Sequence, residues 1–116
     1  MSAAAMRWQP LDEFDFDSRL AARPGISVVM FGQPHCGACR GWRQQLPHWL
    51  AEDIGLYYVD VAVATALARR FGLFHLPDFA LYRDGAFHAM WRSAFERQEL
   101  GRSLQAALQV PAQEEP

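Results

Sequence analysis

"ISVVMFGQPHCGACRGWRQQLPHWLA", residues 26–51, joins two hydrophobic patterns at a pair of cysteines, and that junction decides the fold. Residues 26–32 form a short apolar run bounded by Pro24-Gly25 and Gln33-Pro34, which predicts a strand buried on both faces. From Gly37 to Ala51, Trp42, Leu46, Trp49 and Leu50 recur at helical spacing with arginines and glutamines between them. A helix is therefore expected to begin at the cysteines. Pro47 is expected to kink it, because proline has no N–H and its ring crowds the preceding turn. Cys36 and Cys39 are the only cysteines in the chain and lie just past the C-terminal end of the strand.

Outward from this junction, helices and strands alternate. "LDEFDFDSRLAARPG" (11–25) predicts a short helix with Leu11, Phe14, Leu20 and Ala21 on its apolar side, stopped by Arg23-Pro24-Gly25. "IGLYYVDVA" (54–62) is a second strand, and "VATALARRFGLF" (63–74) a helix that stops near Gly72. "DFALY" and "FHAMW" flank "RDGA", where Asp84-Gly85 signals a tight hairpin. The last amphipathic helix is expected from Ser93 or Ala94, with Leu100, Leu104 and Leu108 on one face. A helix between successive strands argues for parallel pairing, and the hairpin adds antiparallel strands. The fold class is α/β, a central mixed sheet flanked by helices. With no internal repeat, the chain divides into a flexible start (1–10), one domain (11–109) and a flexible polar tail (110–116).

Composition narrows the function. The 116 residues are 51% hydrophobic, enough for a core that needs no disulfide staples. A net charge of -2 from 11 basic and 13 acidic residues leaves no electrostatic footprint for nucleic acid or an anionic membrane. All the basic residues are arginines, and no function follows from that. The N-terminal residues hold no apolar run of the length a secretion signal or membrane span requires, so the cytoplasm is the expected compartment. In a reducing compartment two cysteines in a CxxC read as redox or metal chemistry before structural bridging.

Positions i and i+3 of a helix share a face, so Cys36 and Cys39 can close a disulfide without unwinding the backbone. Cys36 at the helix start meets unpaired N–H groups and the positive end of the macrodipole, which favour a thiolate. His35, Arg40 and Arg43 are positioned in sequence to add positive charge. Cys39, one turn inside, is expected to be more buried and suited to resolving a mixed disulfide formed at Cys36. Two alternatives stand beside this one. Zinc would need further ligands from His35, His48, His75 or His88, which lack the paired spacing of a zinc finger or ribbon. Buried cysteines that merely fill space are the other.

Taken together, "SVVMFGQPHCGACRGW", "YYVDV" and "FGLFHLPDFALYRDGAF" resemble the thioredoxin family: a strand, an active-site motif close to CGPC, a strand with Asp, and a hairpin opened by proline. The likeness runs from about Leu11 to Leu108. It implies a thioredoxin fold and a thiol:disulfide oxidoreductase with no cofactor. Cys36 would be the nucleophile and Cys39 the resolving cysteine of a redox-active disulfide. Pro77 would be a cis-proline facing the disulfide, and the backbone of Leu76 would pair with an extended substrate segment. The implied partners are protein disulfide substrates and an electron donor of the thioredoxin-reductase type, with no nucleic acid or membrane, and the chain is expected to be a monomer.

The departures from the family pattern set the remaining questions. His35 replaces the tryptophan before the first cysteine, and Ala38 replaces the proline between the cysteines. A protonated His35 beside the thiolate would stabilise the reduced form and make the pair more oxidising. Met30 stands where the family has a buried aspartate, and Asp78 is the candidate substitute carboxylate. The usual glycine after the hairpin falls near Ser93, between the bulky Trp91 and Phe95, so the substrate groove is expected to differ. Trp42, Trp49, Phe71, Phe74, Phe79, Tyr82 and Trp91 read as core, and Arg69-Arg70 as a solvated helix face. A binding module or assembly chaperone without turnover is the second functional reading.

Overall fold

The structure, a computed structural model, describes residues 3–116. β2 (Ile26–Gly32) runs through the middle of the sheet, and every residue of it after Ile26 is buried. Both faces are covered, which is why its sequence is a continuous apolar run rather than an alternation. β3 (Gly55–Asp60) lies parallel to β2 on one side, and β4 (Asp78–Arg83) antiparallel on the other. β5 (Ala86–Trp91) continues antiparallel from β4, and β1 (Trp8–Pro10) lies parallel to β3 at the opposite edge. The order among the described residues is β1-β3-β2-β4-β5.

The pleat sorts the core into two layers. Val29 and Phe31 of β2 face α1 (Phe16–Ala21) and α3 (Thr65–Arg70), packing with Phe16, Leu20 and Leu67. Val28 and Met30 face α2 (Gly37–Trp49) and α4 (Arg97–Gln109), packing with Trp42, Leu46, Leu100 and Leu104. The expected thioredoxin fold is therefore present: a mixed five-stranded sheet with helices on both faces. Strand directions bring the C-terminal ends of β1, β2, β3 and β5 and the N-terminal end of β4 to one end of the sheet. The cysteine pair lies at that end.

At Asp84 and Gly85, φ is +51° and +84°, the two left-handed residues of a two-residue hairpin turn. The Asp84 carboxylate accepts from Gly25 N at 2.7 Å, tying this turn to the start of β2.

The ends of the chain differ from expectation. Residues 1–10 were expected to be flexible, yet Trp8, Gln9 and Pro10 pair with Leu56, Tyr57 and Tyr58; residues 1–2 lie outside the described part. The cause lies in α2. Pro47 has no N–H to offer the Arg43 carbonyl one turn back, and the Trp8 indole N–H donates to that oxygen at 2.9 Å instead. Arg7 donates to the carbonyls of Pro47, Leu50, Ala51 and Ile54, closing the C-terminal end of the same helix. The helix continues past Pro47 to Trp49. The tail expected to be flexible also has partners: Gln113 N donates to His88 O, Met90 N donates to the Gln113 side chain, and Arg70 pairs with Glu115.

Smaller corrections follow. α1 turns Phe16 into the core and leaves Phe14 exposed. Phe74, assigned to the core, is 90% exposed, and Trp49 is half-buried. α4 starts at Arg97 rather than near Ser93, because Glu96 is its N-cap and accepts from Gln98 N and Glu99 N. Arg70, assigned to a solvated face, ion-pairs with Asp17 at 2.9 Å and lies over the Phe16 and Phe71 rings.

Candidate active site

Cys36 is the N-cap of α2, with extended backbone (φ -86°, ψ 110°), and its sulfur accepts from Cys39 N at 3.1 Å. The helix start thus presents the Cys39 N–H to the Cys36 sulfur, an arrangement that stabilises a thiolate when the pair is reduced. Cys36 and Cys39 are joined in a disulfide, with their Cα atoms 5.2 Å apart. Their environments are unequal: Cys36 is half-buried, whereas Cys39 is 2% exposed and packs with Met30, Trp42 and Phe79. His35 and Ala38, on either side of Cys36, are both exposed.

Gly32, the last residue of β2, has a place at this site that the sequence reading missed. A Cβ there would lie 3.0 Å from Cys39 Sγ and 3.2 Å from the Tyr58 hydroxyl. The missing side chain is what lets the buried sulfur and the Tyr58 ring settle against the strand. Burial pushes the Tyr58 hydroxyl above its ordinary pKa, against the pull of the Arg43 guanidinium, which lies 4.1 Å from the ring centroid. Arg43, expected near the cysteines, is thus engaged over Tyr58.

From the other side, the loop before β4 brings in Leu76 and Pro77, joined by a cis peptide bond. Leu76 packs against the same core layer as Cys36 and Cys39. Asp78 is 5% exposed. Its neighbour Phe79 faces the Cys39 layer, so the pleat directs Asp78 to the opposite face. Its carboxylate accepts from Phe79 N at 2.9 Å and meets Arg92 Nη2 at 3.7 Å. Among the described residues no group of three or more His, Cys, Asp or Glu side chains is placed to hold a metal ion.

A model of the Thioredoxin family matches residues 8–106. The chain belongs to the thioredoxin family. Protein disulfide-isomerase A3 of Gallus gallus is 31% identical over 91 residues, which cover 73% of this chain and 17% of that protein. The chain thus spans under a fifth of that relative. Among solved structures, mitochondrial thioredoxin 3 of Saccharomyces cerevisiae in its oxidized form superposes with a TM-score of 0.73 at 17% identity, covering 90% of this chain and 99% of that one. Zinc-bound human ERp44 superposes with a TM-score of 0.63 at 16% identity, covering 85% of this chain and 30% of that one. As a thioredoxin-family domain with a CxxC pair, the chain has the general equipment of a thiol-disulfide oxidoreductase.

Beside the cysteine helix, this thioredoxin-family domain has a groove lined by Trp42, His75, Pro77, Phe79, Arg92 and Ser93. The Phe95 ring lies 4.8 Å from that of Trp42, one of these lining residues, and 5.1 Å from that of Trp49. It also lies 3.5 Å from where a Cβ on Gly41 would be. The sequence reading marked Phe95 as bulky but not this stacking, which has Phe95 ahead of α4 rather than inside it. Among the described residues, no helix is long and apolar enough to cross a membrane.

Proposed function

We propose that the protein is a thiol:disulfide oxidoreductase that acts on protein disulfides by dithiol-disulfide exchange. The observation that carries this reading is the inequality of the two cysteines: Cys36 caps α2 and reaches solvent, and Cys39 lies beneath it in the core. In the reducing direction the Cys36 thiolate attacks one sulfur of a substrate disulfide, forming a mixed disulfide while the other substrate sulfur leaves as a thiolate. The Cys39 thiolate then attacks Cys36 Sγ, closing the Cys36–Cys39 bond and releasing the second substrate sulfur. Two electrons pass to the substrate. The disulfide in the present structure is the product state of that sequence, and an electron donor of the thioredoxin-reductase type would restore the dithiol. Leu76 and Pro77 would border the bound substrate segment, and the protein would work as a cytoplasmic monomer.

The test is reduction of insulin disulfides with dithiothreitol as donor. The wild-type protein is expected to accelerate the reaction, and Cys36→Ser to return it to the uncatalysed rate; equal rates for the two proteins contradict the reading. A second reading is favoured by Met30, fully buried where the family has an acid, and by Asp78, whose carboxylate is bonded away from Cys39. A domain without a carboxylate at its resolving cysteine would hold partners in the groove without turnover. Under that reading the Cys36→Ser/Cys39→Ser variant retains its partners at full affinity.

A further inference from the structure

We propose that Arg92 makes the groove beside the cysteine pair selective for disulfide substrates that carry an acidic side chain next to the reacting cysteine. This rests on the exchange reading above. The groove lining combines apolar rings, Trp42 and Phe79, with Pro77, Ser93, His75 and Arg92, and the carboxylate beside Arg92, that of Asp78, is set back from this lining. Arg92 is the permanent cation of this lining.

Arg92 is held in place by the fold. β4 pairs Phe79 with Trp91, and continuing that register by one residue sets Asp78 opposite Arg92. The Asp78 side chain is 8% exposed and that of Arg92 71%, so a buried carboxylate faces a guanidinium that otherwise reaches solvent. A guanidinium has five N–H donors in a planar fork, and a single contact of 3.7 Å leaves that fork able to receive a second carboxylate. The acid nearest in sequence is already committed, since Glu96 accepts from two N–H groups at the start of α4.

The occupant that fits is an extended segment of the substrate polypeptide laid over Pro77 with its reacting cysteine toward Cys36. An acidic residue beside that cysteine would gain a charge-assisted hydrogen bond, and a lysine there would meet a like charge. Asp78, expected from the sequence to serve the cysteines as a proton acceptor, is in this arrangement the positioning residue for Arg92.

The experiment uses the pre-reduced full chain and two disulfide peptides identical except for Glu or Lys beside the cysteine, with bis(2-hydroxyethyl) disulfide as an uncharged reference. At low salt, kcat/KM for the Glu peptide is expected to exceed that for the Lys peptide by about fivefold, the scale of one exposed ion pair. Arg92→Gln should bring the ratio to about one, and Arg92→Lys should keep most of it. Equal values with the wild-type protein, or a ratio that survives Arg92→Gln, overturn the proposal while leaving the exchange reading intact. If the uncharged disulfide is not reduced either, the exchange reading fails and this proposal fails with it.

Discussion

At Gly32, a single missing side chain determines whether the buried half of the cysteine pair fits. An alanine Cβ would press on Cys39 Sγ at 3.0 Å and on Tyr58 at 3.2 Å, and a disulfide sulfur and a packed ring have little room to give. Gly32→Ala should therefore destabilise the oxidised protein by about 1–3 kcal/mol, the usual cost of overpacking. Denaturant unfolding measures this, and an unchanged midpoint would mean that the strand yields more easily than its buried neighbours imply. The cysteine pair was legible in the sequence because a motif at a strand-helix junction fixes its place along the backbone, whereas Leu76 and Pro77 came from the likeness to the thioredoxin family. Gly32 and Asp78 were not legible. The first needs the tertiary neighbour Tyr58, and the second is adjacent to Pro77 in sequence but turned by the pleat toward Arg92.

At the level of elements, most helices and strands were readable, and β1 and the start of α4 were not. β2 and α2 carry enough apolar pattern to declare themselves. β1 is three residues with a proline at its end, and it exists because Trp8 and Arg7 satisfy carbonyls of α2 that no periodicity reveals. The start of α4 was misplaced because its N-cap is a glutamate, outside the usual Ser, Thr, Asp and Asn set. That cap makes α4 sensitive to acid. The N–H groups of Glu99 and Gln98 hold the Glu96 carboxyl below its ordinary pKa, so its folded value lies beneath its unfolded one. Its contribution is then fully present above the ordinary glutamate range and is lost as pH falls through the lowered value. Glu96→Gln should be less stable than wild type near neutral pH, with the difference shrinking as pH falls through the lowered carboxyl value, below which both side chains are neutral. A difference that stays constant across this range would show that the charge of Glu96 is not what caps the helix.

Across the whole molecule, one topological fact gathers the chemistry. Parallel β1, β3 and β2, with antiparallel β4 and then β5, bring five loop segments to one end of the sheet, and these include the cysteine pair, Leu76-Pro77, Arg92 and Phe95. Their convergence was implied by the α/β order, but the composition of the groove was not, since it depends on which side chains the last strand and helix turn inward. The most direct test of the central claim is mass spectrometry of mixed disulfides after incubating single-cysteine variants with a protein disulfide substrate. Cys39→Ser is expected to accumulate a covalent adduct at Cys36, because attack by the exposed sulfur proceeds and resolution does not, while Cys36→Ser leaves the buried Cys39 unmodified. Equal adducts on both variants, or none on Cys39→Ser, would contradict the assignment of Cys36 as the attacking thiol.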